Sequence, residues 1–118
     1  MTVNGFFRSF LYALQGLRAS FWEQRNLKVQ TLVGLITVGA GFYFSITATE
    51  WCIILLVIGL VLGLEMINTS IEGLVDLVTL ERKPLAGKIK DIAAGAVLVA
   101  SVIALVIGVI IFRKYCLG

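Results

Sequence analysis

The sequence predicts an all-α integral membrane protein: an N-terminal amphipathic surface helix followed by three transmembrane helices. Three observations carry that prediction. Of 118 residues, 59% are hydrophobic and 14% charged, with a mean hydropathy of +1.01. The apolar residues gather into three runs, each long enough to cross a hydrocarbon core of roughly 30 Å as helix. The alternating ten-residue segments of a membrane barrel are absent. The length fits one domain, residues 1–118, and a water-soluble core would not need runs of this kind.

The first element is the surface helix, over about residues 5–22. Phe6, Phe7, Phe10, Leu11, Leu14 and Leu17 recur at spacings of three and four, with Arg8, Ser9 and Gln15 between them. The pattern reads as a helix lying in the interface with its aromatic face in lipid, the alternative being a helix packed on protein. The polar patch Trp22 to Lys28 follows, with Trp22 suited to the headgroup level. The first span, 29–46, is apolar apart from Gln30, Thr31, Thr37 and Ser45. Thr49 is expected to cap the second span, 51–78. At 1.5 Å per residue that helix is about 40 Å long, so its second half should project beyond the hydrocarbon. Residues 80–87, with Arg82, Lys83 and Pro84, read as a loop. The third span, 89–112, opens on Lys90 and Asp91 and closes on Arg113 and Lys114. No cleavable leader is expected, because the first insertable run follows a polar segment and lacks a small-residue cleavage site.

Charge sets the expected topology. Arg8, Arg18, Arg25, Lys28, Arg82, Lys83, Lys88 and Lys90 fall on one side of the membrane, and only Arg113 and Lys114 on the other. The positive-inside rule then places the N-terminus and the 80–87 loop in the cytoplasm. The net charge of +3 forms no dense basic face, so nucleic acid is not an expected partner. The absence of His excludes a histidine general base and a Cys/His zinc site. Cys52 and Cys116 both fall toward the outer end, where a disulfide and two unpaired thiols are both open.

The chemistry is expected in the stretch Glu65 to Asp76. On a helix turning about 100° per residue, Glu72 lies about 20° from Glu65, Asp76 about 20° to the other side, and Asn68 about 60° away. The four make one polar stripe. An ionised group at bilayer depth costs at least about 2.5–3.5 kcal/mol, which marks the stripe as functional. Glu65 and Glu72 are about 10 Å apart along the axis, too far for one ion with ligand distances of about 2.0–2.6 Å. They therefore do different jobs. Glu65, at depth, suits a general base near a lipid alcohol, while Glu72 and Asp76 lie nearer the water that supplies Mg²⁺ and nucleotide. Pairing with Lys or Arg between helices is the competing reading, and for Lys90–Asp91 it is a simple helix-start charge pair. Gly59 and Gly63 form a small-xxx-small pattern that permits close helix approach. No phosphate-binding Gly-rich loop and no soluble-kinase catalytic set occurs.

The stripe fits the pattern E-x-x-N-[ST]-x-I-E-x-x-V-D and resembles the signature of the small bacterial integral-membrane diacylglycerol kinases. Lys90 to Val97 looks like that family's second block, and Ser9 to Arg18 resembles its surface helix. The resemblance implies a homotrimer in the bacterial inner (cytoplasmic) membrane, with composite active sites that use ATP and Mg²⁺ to phosphorylate a membrane lipid alcohol. It assigns the general-base role to Glu65 and the metal-ligand role to Glu72. Asn68, Asp76, Lys90 and Asp91 match further nucleotide- and phosphate-binding positions. One departure concerns the pre-span segment, where the family's second metal-binding Glu, two residues before Asn26, is replaced by Gln24, with Glu23 one position earlier. Either Glu23 or Gln24 is the candidate there. The run from Val75 to Val97 resembles the undecaprenol kinase branch of the family, with diacylglycerol as the alternative substrate. A small proton-coupled transporter is the alternative from another class.

Overall fold

A computed structural model describes residues 2–117. The described residues form four helices and no strand: α1 (Val3–Glu23), α2 (Arg25–Phe44), α3 (Ala48–Val78) and α4 (Pro84–Leu117). The last three are long and apolar enough to cross a membrane. The molecule is therefore an all-helical membrane protein with three candidate spans.

Each boundary has a local cause. Thr2 caps α1 by accepting from Gly5 N–H at 3.0 Å. A single extended residue, Gln24, separates α1 from α2. The polar patch expected to link the surface helix to the first span is thus helical itself: α2 begins at Arg25 rather than 29, because Arg and Lys are good helix formers whatever their polarity. At its other end α2 stops at Phe44. Ser45 takes the left-handed conformation (φ 52°), and Ile46 N–H turns back to the Gly41 carbonyl at 3.2 Å.

The expected cap of the second span is corrected. Thr47, not Thr49, is the N-cap of α3. Its hydroxyl accepts from Glu50 N–H at 3.2 Å, and Thr47 N–H donates to Glu50 Oε1 at 3.0 Å, a reciprocal capping box. Glu50 at the third helical position outcompetes the choice available at Thr49. The loop expected at 80–87 is shorter too, since α4 starts at Pro84, where the missing N–H costs nothing. With 34 residues, α4 is about 51 Å long.

α3 packs against α2 on one side and α4 on the other. α2 and α4 approach each other through Phe44, whose ring stacks on Tyr115 at 5.8 Å and meets Phe112 at 6.1 Å. A cluster of Ile46, Ile54 and Ile111, with Trp51 and Tyr115 against it, closes this end of the molecule. Two glycines allow the α2–α3 contact: a Cβ on Gly34 would lie 3.3 Å from Ile58, and one on Gly41 would lie 2.7 Å from the Trp51 ring. Running from that cluster along the bundle, the three spans border an apolar cleft of about 570 Å³, walled by Val29, Val33, Ile58, Leu62 and Phe112 with Gln30 among them. Thr31, Thr37 and Thr69 donate to the carbonyls of Leu27, Val33 and Glu65 at 2.7, 2.8 and 3.0 Å, so their hydroxyls are satisfied without water.

Candidate active site

The polar stripe of α3 is a burial gradient. Glu65 is 3% exposed and Asn68 7% exposed. Glu72 is half-buried and Asp76 exposed. The register of α4 explains the shielding. Asp76 pairs with Lys90 near the start of α4, and Glu50 pairs with Lys114 near its end. Counting antiparallel between those two fixed points, Ala93, Val97 and Ala100 fall opposite Glu72, Asn68 and Glu65. All three are buried, and they are small enough to let α4 approach the stripe closely.

Two pairs are assembled along the stripe. Asn68 Nδ2 donates to Glu72 Oε1 at 3.3 Å, one turn apart on the same helix. Lys90 Nζ donates to Asp76 Oδ1 at 2.6 Å, a charge-assisted bond between two half-exposed side chains. The competing reading of interhelical ion pairing therefore describes Asp76, but not Glu65 or Glu72, which make no ion pair among the described residues. Asp91 is exposed on the first turns of α4. A second cavity, of about 450 Å³, opens at the α3–α4 turn between Asp76, Arg82, Lys83 and Lys90. Arg82 and Lys83 enter the sequence reading only through topology. Their place beside Asp76 and Lys90 depends on the short turn that Pro84 makes.

The pre-span candidates stand apart. Glu23 is the last residue of α1 and exposed, and Gln24 is the extended residue at the α1–α2 junction. Neither side chain makes a hydrogen bond or ion pair among the described residues, and no three Asp, Glu, Cys or His side chains gather there into a metal cluster. Glu72 nonetheless fits Mg²⁺. That ion is commonly held through one or two carboxylates plus substrate phosphates, and the Glu72 carboxylate is half-buried, oriented by Asn68 and, among the described residues, free of a competing cation.

α2 supplies two residues that sequence reasoning did not place in the site. The side-chain amides of Asn26 and Gln30 are within reach of the Glu65 carboxyl. The two are one helical turn apart on α2, but nothing in the sequence fixes the α2–α3 register that brings them to Glu65. At the opposite end of the bundle lies a polar cluster that sequence reasoning also missed. Glu50, 8% exposed, bonds to Lys114 Nζ at 2.6 Å and accepts from the Tyr115 hydroxyl. Cys52 and Cys116 are free, exposed thiols.

Comparison with known proteins gives a consistent outcome. The sequence profile of prokaryotic diacylglycerol kinase matches residues 11–112. The chain is 41% identical over 110 residues to the undecaprenol kinase of Bacillus subtilis (strain 168), covering 93% of this chain and 89% of that protein. It is 37% identical over 101 residues to a diacylglycerol kinase of Synechocystis, covering 85% of this chain and 58% of that protein. It is also 31% identical over 112 residues to a diacylglycerol kinase of Helicobacter pylori (strain ATCC 700392 / 26695), covering 95% and 84% respectively.

Proposed function

The chain belongs to the prokaryotic diacylglycerol kinase family of membrane lipid kinases, and from that premise we propose that it transfers the γ-phosphoryl group of ATP to undecaprenol. The observation that carries the site reading is Glu65, a carboxylate buried in α3 with no cation paired to it among the described residues. A carboxylate locked to Lys or Arg is a poor proton acceptor. One held only by neutral groups is available as a general base.

In this reading the lipid hydroxyl lies at Glu65. The O–H proton passes to a Glu65 carboxylate oxygen as the hydroxyl oxygen bonds to Pγ, the bond from Pγ to the β,γ-bridging oxygen breaks, and ADP leaves. Glu72, oriented by Asn68, would hold Mg²⁺ together with Glu23 or Gln24 of a neighbouring protomer, and the ion would supply neutralisation of phosphate charge. Lys90 sits with Asp76 at the edge of the second cavity and meets the phosphates there, with Arg82 and Lys83 beside it, and Asp91, the next residue on α4, is assigned to the same phosphate-binding group. The pathway is mostly positioning and charge neutralisation, so a few side chains suffice. The enzyme works as a homotrimer in the inner (cytoplasmic) membrane of a bacterium. Its N-terminus and basic turn are on the cytoplasmic side, where ATP is available, and α1 lies on the surface.

Undecaprenol is preferred because the relative named for that substrate shares 41% identity, against 37% and 31% for the two named diacylglycerol kinases. Diacylglycerol, phosphorylated by the same steps, is the second reading. Radiolabelled ATP with purified protein in mixed micelles distinguishes them. A kcat/KM for undecaprenol at least tenfold above that for diacylglycerol is expected, and the opposite order would assign diacylglycerol.

A further inference from the structure

α2 and α3 run antiparallel and touch where Gly34 meets Ile58. Each turn from Gly34 toward the start of α2, through Gln30 to Asn26, is matched by a turn of α3 from Ile58 through Leu62 to Glu65. That register sets Asn26 level with Glu65 and Gln30 one turn away at Leu62, which leaves both amides within reach of the one carboxyl. Gln30 also walls the apolar cleft, so it stands between the cleft and Glu65. Its Oε1 is buried and has no hydrogen-bond partner. An orphaned acceptor in a membrane-spanning helix is costly and invites an explanation.

We propose that Gln30 is the positioning residue of Glu65, its Nε2 fixing one carboxylate oxygen so that the other faces the hydroxyl, and its Oε1 reserved for the proton that Glu65 acquires. This rests on the reading of Glu65 as general base. A carboxamide complements a carboxylic acid in both states. Beside the carboxylate it donates one N–H. Once the lipid O–H has broken and its proton sits on Glu65, the acid O–H donates to the amide oxygen, and the orphan is satisfied. Asn26, one turn further along α2, adds a second neutral donor. Neutral amides orient the base without the cation that would hold it deprotonated. The residue thus acts through Glu65.

The test is a double-mutant cycle on the full-length protein in mixed micelles. Gln30→Met keeps the volume and removes both hydrogen-bonding atoms. Misplacing a reacting group by about 1 Å can cost about 100-fold. Gln30→Met is accordingly expected to lower kcat about 10–100-fold, with lipid KM changed less than about twofold and nucleotide binding intact. Gln30→Asn, which keeps the amide but is one methylene short, should fall between, and it carries the test if Gln30→Met does not assemble. In a Glu65→Gln background, Gln30→Met should lower the residual rate by no more than about twofold, because the residue has lost the group it serves. A full multiplicative loss in that background overturns the proposal, as does a raised lipid KM with unchanged kcat. If Glu65→Gln is dead while Gln30→Met turns over normally, this proposal alone fails. If Glu65→Gln itself retains turnover, the general-base reading fails and takes this one with it.

Discussion

At the residue scale, the proposed mechanism gives the two glutamates of the α3 stripe different jobs by depth. Glu65 and Glu72 share a helical face, yet the first is walled by Ala100 and the amides of α2 and the second is half-open beside Asn68. Different substitutions should therefore fail differently. Glu65→Gln keeps size and hydrogen bonding but cannot take a proton, so turnover should fall by about 10²–10⁴-fold while ATP analogue binding persists. A retained rate above about a tenth of wild type would remove Glu65 from the base role. Glu72→Gln should instead raise the Mg²⁺ concentration needed for half-maximal rate, since a neutral oxygen replaces a charged ligand. A Mg²⁺ titration identical to wild type would make Glu72 a structural partner of Asn68. The stripe itself was legible in the sequence because one helix's period places all four groups without tertiary knowledge. Asn26 and Gln30 were not, because their role depends on the register of two helices set by Gly34 and Ile58.

At the element scale, the helix ends carried the disagreements between sequence and structure, and each has a physical reason. Thr47 and Thr49 are equally good caps by residue type. Only the position of Glu50, three residues after Thr47, selects one. Arg25 to Lys28 read as a linker by polarity but as helix by propensity, and propensity prevailed. The Glu50–Tyr115 bond joins residues 65 apart in sequence, beyond the reach of any local pattern. Around that bond the end of the bundle opposite the stripe is closed, and Gly41 is its tightest contact. Gly41→Ala would set a methyl carbon 2.7 Å from the Trp51 ring and so push α2 off α3. The expected loss is about 1–3 kcal/mol of stability, the range for overpacking, seen as a lower unfolding temperature in detergent. Gly39→Ala meets nothing within 4 Å and serves as the matched control. Equal melting of the two variants would mean that Trp51 simply rotates away.

For the whole molecule, the decisive feature is how little one chain encloses. Large apolar side chains on every helix remain exposed, among them Phe10, Leu35, Leu56 and Leu98. Lipid, or a second copy in the proposed homotrimer, would cover such surface. The catalytic parts are similarly incomplete. Within one chain the described residues bring Glu65 to α2 and Asp76 to Lys90, but leave Glu72 without a second carboxylate and Glu23 and Gln24 without partners. In the proposed homotrimer, Glu23 or Gln24 of a neighbour would complete the Glu72 site. Inactive protomers with different lesions should complement. Glu65→Gln chains mixed with chains carrying Glu23→Gln and Gln24→Ala together are expected to recover part of the activity that each lacks alone. In mixed assemblies of the proposed homotrimer, some interfaces would join an intact α3 stripe to an intact pre-span segment. Recovery should scale with the fraction of mixed trimers, measured by cross-linking differently tagged chains. Mixed trimers that form and stay inactive would place the entire site within one chain. If the doubly substituted pre-span chains are fully active on their own, the segment holds no metal, and Glu72 with the nucleotide phosphates suffices.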